Sequence, residues 1–148
     1  MIIHKSLAEK FIPTYVERVK ALPVGDPADP ATIVGPLINP RGAQRVSKLV
    51  KDAAAKGASL LTSDGSIEGP NGTLIRPVVL SDLTKDMDIF ASEIFGPTIV
   101  IHPVDSTDAA IDLANDTEYG LTGGVISRDL SAALDVVSRV RSGIIHDP

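Results

Sequence analysis

Glu93 and Phe95 stand two residues apart in Glu93-Ile94-Phe95-Gly96-Pro97, just ahead of a β-branched run at 99–104. Gly96 frees the backbone there, and Pro97 fixes φ where a strand begins and no ladder donor is required. A carboxylate and an aromatic ring so placed can both reach one cleft, and the ends of strands in α/β sheets are where ligands bind. A carboxylate accepting hydrogen bonds from vicinal hydroxyls, beside a ring that packs on a heterocycle, suits a nucleotide's ribose and base. Taken alone, the residue types favour a simpler alternative, a charged loop residue next to a core phenylalanine.

Other chemistry is poorly represented. The chain has no G-x-G-x-x-G after a strand and no G-x-x-x-x-G-K-[ST], so dinucleotide and triphosphate loops of those types are missing. His4, His102 and His146 are too far apart for a ligand set, and each is expected at the surface or the core edge. Asp86 and Asp88 beside Glu93 read as a solvated acidic loop. Asn71-Gly72-Thr73 matches a glycosylation sequon, a pattern short enough to arise by chance. With no cysteine, these residues supply no disulfide, thiolate metal site or cysteine nucleophile. No catalytic and no metal-ligating residue is expected among them.

The length of 148 residues fits one domain. A hydrophobic fraction of 43% with 22% charged residues is ordinary for a soluble globular protein. Aromatics are 3% and Trp is absent, so the core must be built from Val, Ile, Leu and Ala. A formal net charge of −5, with Lys and Arg scattered, disfavours nucleic acid as a partner. No apolar run approaches the roughly 20 residues of a membrane span, and Met1-Ile2-Ile3-His4-Lys5 turns polar too soon for a signal peptide. A cytoplasmic protein without membrane attachment is expected.

The elements that must position Glu93 and Phe95 follow from periodicity and caps. Ser6 predicts the N-cap of a helix over 6–22, with Leu7, Phe11, Val16 and Val19 on one face and Pro13 kinking it or marking a change of register. Residues 23–40 read as an ordered loop anchored by Ile33, Val34, Leu37 and Ile38. Asn39 as N-cap and Pro40 at the first helical position open a helix that Gly57 ends. Strands are predicted over 58–61, 76–80, 99–104, 121–127 and 143–146, with a turn-rich connection over 63–72. Helices are predicted over 107–116 and 130–141. Alternating strands and helices give an α/β fold, a layered and largely parallel sheet flanked by helices. Strands already under way at Ile2-Ile3 and 143–146 suggest a domain truncated at both ends.

Six segments, in order, resemble those of the aldehyde dehydrogenase superfamily. Glu93 to Pro97 is similar to its E-x-F-G-P motif, and Val24-Gly25-Asp26-Pro27 with Val34-Gly35-Pro36-Leu37-Ile38 to its V-G-x-P…G-P-x-I loop. Arg76-Pro77-Val78-Val79 resembles the F-x-x-P-T strand, with Arg where an aromatic is common. Asn115 with Tyr119-Gly120-Leu121 resembles N-x-x-x-Y-G-L, Arg128-Asp129 the turn before the next helix, and Gly143-Ile144-Ile145 the G-x-[VI]-x-[VI]-N strand. The style is most similar to the benzaldehyde-, salicylaldehyde- and vanillin-type dehydrogenases.

The resemblance implies that 1–148 is part of that family's catalytic domain, and that the whole enzyme uses NAD or NADP to oxidise an aldehyde to a carboxylic acid. It implies roles for Glu93 on the nicotinamide ribose hydroxyls and for Phe95 beside the nicotinamide ring. It also implies a cysteine nucleophile and a Rossmann-type domain upstream of Ile2, an oligomerisation arm beyond Pro148, and a homo-oligomeric enzyme. This chain alone is therefore expected to be inactive. Two other readings stay open: a natural truncated, non-enzymatic module that pairs through an exposed sheet edge, and an unrelated α/β binding domain.

Overall fold

A computed structural model describes residues 1–146. In chain order they form β1 (Ile2–His4), α1 (Lys5–Lys20), α2 (Pro40–Ala55), β2 (Ser59–Leu60), β3 (Ile67–Glu68), β4 (Leu74–Ile75) and β5 (Val78–Ser81). There follow α3 (Asp88–Ala91), β6 (Thr98–Val100), β7 (His102–Val104), α4 (Thr107–Asn115), β8 (Thr122–Gly124), α5 (Leu130–Arg139) and β9 (Ile144–His146). The class is α/β, with parallel pairing at β5–β6 and β8–β9 and antiparallel pairing at β2–β5 and β3–β4. Two compact units emerge: Ala8–His102 with Met1, and Ile2–Leu7 with the chain from Pro103 onward.

The first unit is organised around β5, which pairs with β2 on one side and β6 on the other. All four of its residues are buried, as a strand covered on both faces requires. Against it lies α2, whose Ala43, Val46, Val50 and Ala53 recur at helical spacing and are at most 2% exposed. Ile75, Leu80, Met87 and Ile89 complete this aliphatic core. The start of α2 is as its sequence predicts: the Asn39 side-chain oxygen accepts from the Gly42 amide at 2.8 Å, and Pro40 sits in the first turn where its missing N–H leaves no gap. Beyond its end, Gly57 takes φ +103.

Several predicted boundaries shift. The first helix starts at Lys5, so Ser6 is inside it and His4 takes over the capping. The His4 Nε2 faces the Asp105 carbonyl at 3.0 Å, which can only accept, so in the neutral ring Nδ1 is left to accept from the Ser6 amide. The helix runs on through Pro13 to Lys20, while the Thr14 hydroxyl donates to the Lys10 carbonyl in the turn that Pro13 disturbs. Only Val16 of its expected face is buried; Leu7 is 59% and Phe11 37% exposed.

The 23–40 loop is ordered, yet not by all four predicted anchors. Ile33 and Ile38 are exposed; Val34 and Leu37 are half-buried. Main-chain bonds do the remaining work, with Val34 bridged to Val24 and the Leu37 amide bound to the Thr73 carbonyl at 2.8 Å.

The extended stretch around the strand predicted over 76–80 is divided at Arg76-Pro77: the predicted strand begins only at Val78, as β5, while Leu74–Ile75, ahead of the predicted start, forms β4. β4 closes a hairpin with β3 across a loop where Gly69 and Gly72 take positive φ. Of the hairpin's two strands, β3 lies in the 63–72 stretch read as connection and β4 just beyond it. The run at 99–104 also divides, at the fully buried Ile101, so that β6 pairs with β5 while β7 pairs with β1.

In the second unit, Ser106 caps α4 and Asp129 caps α5, each accepting from the third amide onward at 3.1 Å. Asn115 joins the end of α4 to the chain leaving α5. Its Nδ2 donates to the Arg139 carbonyl at 3.0 Å, and its Oδ1 accepts from the Arg141 amide at 2.7 Å. Gly120 lies against that same chain: a Cβ there would stand 3.1 Å from the Arg141 carbonyl oxygen, and the Gly143 amide donates to Gly120 at 2.8 Å. No helix among the described residues is long and apolar enough to cross a membrane.

Candidate functional site

The segment holding Glu93 and Phe95 leaves the short helix α3 at Ser92 and enters β6 at Thr98. Ile94 turns inward and packs on the core cluster, whereas Glu93 and Phe95 are both exposed. Phe95 is 78% exposed, which removes the alternative of a core phenylalanine. Among the described residues the Glu93 carboxylate has no hydrogen-bond or ion-pair partner, and the Phe95 ring has no aromatic contact. Carboxylate and ring thus both face outward, unengaged, from one short segment.

Three features fix that segment. Arg45, on α2, donates from Nη2 to the Glu93 carbonyl at 2.7 Å and from Nη1 to the Ile94 carbonyl at 2.8 Å. Gly96 rests directly on α2, where a Cβ would come within 2.7 Å of a methyl of Val46. The Pro97 carbonyl accepts from the Val78 amide at 2.8 Å, which ties the segment to β5 at the point where β6 begins. Phe95 itself takes φ +51, in the left-handed region that a residue with a Cβ rarely occupies. Such conformations persist only where the surroundings hold them, and they gather at ligand-binding sites.

Gly96 is required for space rather than for conformation: it is not among the glycines with positive φ. The neighbouring Thr98 hydroxyl is buried and has no hydrogen-bond partner among the described residues.

The other acidic residues near Glu93 have structural work. Asp86 is bound by the Thr84 hydroxyl, which holds its carboxyl below the usual range, and Lys56 donates to the Asp86 main chain. Asp88 starts α3. His102 is half-buried and edge-on to Phe90 at 5.5 Å, a core-edge position as its sequence context predicts. No group of three or more His, Cys, Asp or Glu among the described residues is placed to hold a metal ion.

Arg45 was not marked as functional by its sequence. It is one of several basic residues on a polar helix face, and its partners lie 48 and 49 positions away.

The aldehyde dehydrogenase family model matches residues 1–146. The chain belongs to the aldehyde dehydrogenase family. It is 38% identical over 146 residues to the benzaldehyde dehydrogenase of Bacillus subtilis, covering 99% of the chain and 29% of that relative. It is 37% identical over 142 residues to a succinate-semialdehyde dehydrogenase [NADP(+)] of Mycobacterium avium, with 96% of the chain and 30% of the relative covered. It superposes with a TM-score of 0.91 and 35% identity on the Mycobacterium tuberculosis aldehyde dehydrogenase complexed with NAD+, covering 99% of this chain and 30% of that one. The chain therefore spans roughly 30% of the length of the relatives it matches. Both nicotinamide cofactors occur among these relatives, NADP+ in one and NAD+ in the other.

Proposed function

We propose that these residues form one wall of the nicotinamide-cofactor site of an NAD(P)-dependent aldehyde dehydrogenase that oxidises an aldehyde to a carboxylic acid. The observation that carries this reading is the pair of unengaged, outward-facing groups on a clamped segment: the Glu93 carboxylate and the Phe95 ring. An ionised carboxylate is an acceptor only, with two oxygens, and so matches the two hydroxyls of a ribose. A ring exposed over most of its surface offers an apolar face on which a flat heterocycle can pack. When bound, the cofactor supplies the acceptor for the two electrons that leave the aldehyde. Glu93 would orient its ribose, and Phe95 would limit the ring's freedom and exclude water from one side of it.

The chemistry of attack on the aldehyde needs a nucleophile from outside these residues, because they include no cysteine. The cytoplasmic location and homo-oligomeric state expected from the sequence belong to the same proposal. The expected result is that the purified 148-residue chain shows no NAD-dependent oxidation of benzaldehyde. In the complete enzyme, Glu93→Gln should raise the KM for the cofactor about tenfold, since a hydrogen bond to a charged group contributes about 1.5–3 kcal/mol. Turnover by the isolated chain, or an unchanged cofactor KM in Glu93→Gln, would contradict the corresponding half of the proposal.

A second reading, of a non-enzymatic module that pairs with another protein, draws on the second unit. There Leu121 is 80%, Ile126 89% and Leu130 66% exposed, close to the two-stranded β8–β9 sheet. Recovery of a full-length dehydrogenase bound to the purified chain would favour it.

A further inference from the structure

We infer that Arg45 is a positioning residue for the cofactor pair, acting on Glu93 and Phe95 through the main chain; the inference rests on the reading of those two residues given above. The guanidinium spends two donors on two consecutive carbonyls, those of Glu93 and Ile94, at 2.7 and 2.8 Å. Whereas an ammonium donates from a single atom, the planar guanidinium fork presents two donors at a fixed spacing for this. Its base is firm, because the flanking residues of α2 are core: Val46 is 1% exposed and Ala43 is fully buried. Both carbonyls immediately precede Phe95, whose φ of +51 must be maintained against its own preference.

With the Glu93 and Ile94 peptide units held from α2 and Gly96 pressed on Val46, the chain is fixed on both sides of Phe95. Release of the fork would let that residue relax toward ordinary backbone. The carboxylate and the ring would then lose their common orientation. Arg45 touches neither the cofactor nor the reacting atoms in this scheme.

The test compares Arg45→Ala, Arg45→Lys, Glu93→Gln and the Arg45→Ala/Glu93→Gln double variant in the complete enzyme, with kcat and cofactor KM measured separately. Arg45→Ala should raise the cofactor KM about tenfold, in line with loss of charge-assisted hydrogen bonds. Arg45→Lys, which can restore one bond, should fall between Arg45→Ala and the parent. In the Glu93→Gln background, Arg45→Ala should add less than about twofold, because the group it positions is already compromised.

A residue that merely supports folding would lower the active fraction, and with it the apparent kcat, while leaving KM unmoved. An unchanged KM in Arg45→Ala, or full additivity with Glu93→Gln, would overturn the inference. Should Arg45→Ala fail to fold, Arg45→Lys decides: a raised KM supports positioning, and an unchanged KM overturns it. If Glu93→Gln itself leaves KM unchanged, the cofactor reading has failed rather than the role of Arg45 within it.

Discussion

Adding one methyl group at Gly96 tests whether the Glu93–Pro97 segment is held by close packing on α2. An ideal Cβ at Gly96 would stand 2.7 Å from one methyl of Val46 and 3.0 Å from the other. Carbon atoms settle at about 3.5–4.0 Å, so the nearer contact is roughly 0.8 Å too short. Val46 cannot yield by swinging into solvent: it is 1% exposed, and as a β-branched residue in a helix it has one strongly preferred rotamer. Either the segment lifts from α2 or the helix shifts, and overpacking of this kind costs about 1–3 kcal/mol. For a chain of this size, 2 kcal/mol corresponds to a fall in melting temperature of about 4–8 °C.

The same geometry makes a second, sharper statement. Val46→Ala removes the obstructing methyls and by itself costs about 2 kcal/mol in lost burial and cavity. In the Val46→Ala background, Gly96→Ala places its methyl in the vacated space. The double variant should then be more stable than the sum of the single losses by at least about 1 kcal/mol. Thermal or urea unfolding of the four proteins, followed by circular dichroism, gives the cycle. If Gly96→Ala melts within 1 °C of the parent, or if the two losses add, the glycine is not required by contact with Val46 and the packing account fails.

Phe95→Asn removes a ring that is 78% exposed and installs a residue that tolerates positive φ. Stability should hold or rise by up to about 1 kcal/mol in urea unfolding, because left-handed backbone is disfavoured by about 1–2 kcal/mol with an ordinary side chain; a clear loss would show that Phe95 is retained for packing instead. His102 gives a pH signature. Burial, reinforced by the Met1 amino group, holds its pKa below the ordinary histidine value of 6.5. Below about pH 6.5 the unfolded chain therefore binds more protons than the folded one, so stability falls as pH drops through that range. Urea midpoints at pH 5 and 7.5 should differ more for the parent than for His102→Gln, and equal differences would remove the histidine from the account.

Local chemistry was legible without coordinates. Asn39-Pro40 opens α2 because an amide oxygen and a donor-free ring satisfy a helix start wherever it is packed. The helical spacing of Val46, Leu49, Val50 and Ala53 marks its inner face, on which the structure adds Ala43 and leaves Leu49 half-buried, and the all-apolar run Val78 to Leu80 marks the central strand. The type and spacing of Glu93 and Phe95, with Gly96-Pro97 behind them, marked a carboxylate-and-ring pair, although residue types alone favoured a charged loop residue beside a core phenylalanine. Each of these signals is carried by neighbours within a few residues.

What sequence could not convey depends on partners far along the chain. The run at 99–104 has one continuous β-branched pattern, yet it divides because β6 takes β5 as its neighbour and β7 takes β1. β3 reads as connection and β4 gives no strand signal of its own, because each has only two residues, too few for a period to register.

Arg45 illustrates the limit most plainly. Its neighbours in sequence specify only that it lies on the exposed side of a helix, and nothing local distinguishes it from Arg41 or Lys48. Tertiary folding alone brings the Glu93 and Ile94 carbonyls within reach of its guanidinium and places Val46 beneath Gly96. The sequence determined that a carboxylate and a ring stand two residues apart ahead of a strand; the packing of the 93–97 segment on α2 decided that they face outward together, because only non-local contacts can hold Phe95 in a conformation its own side chain disfavours.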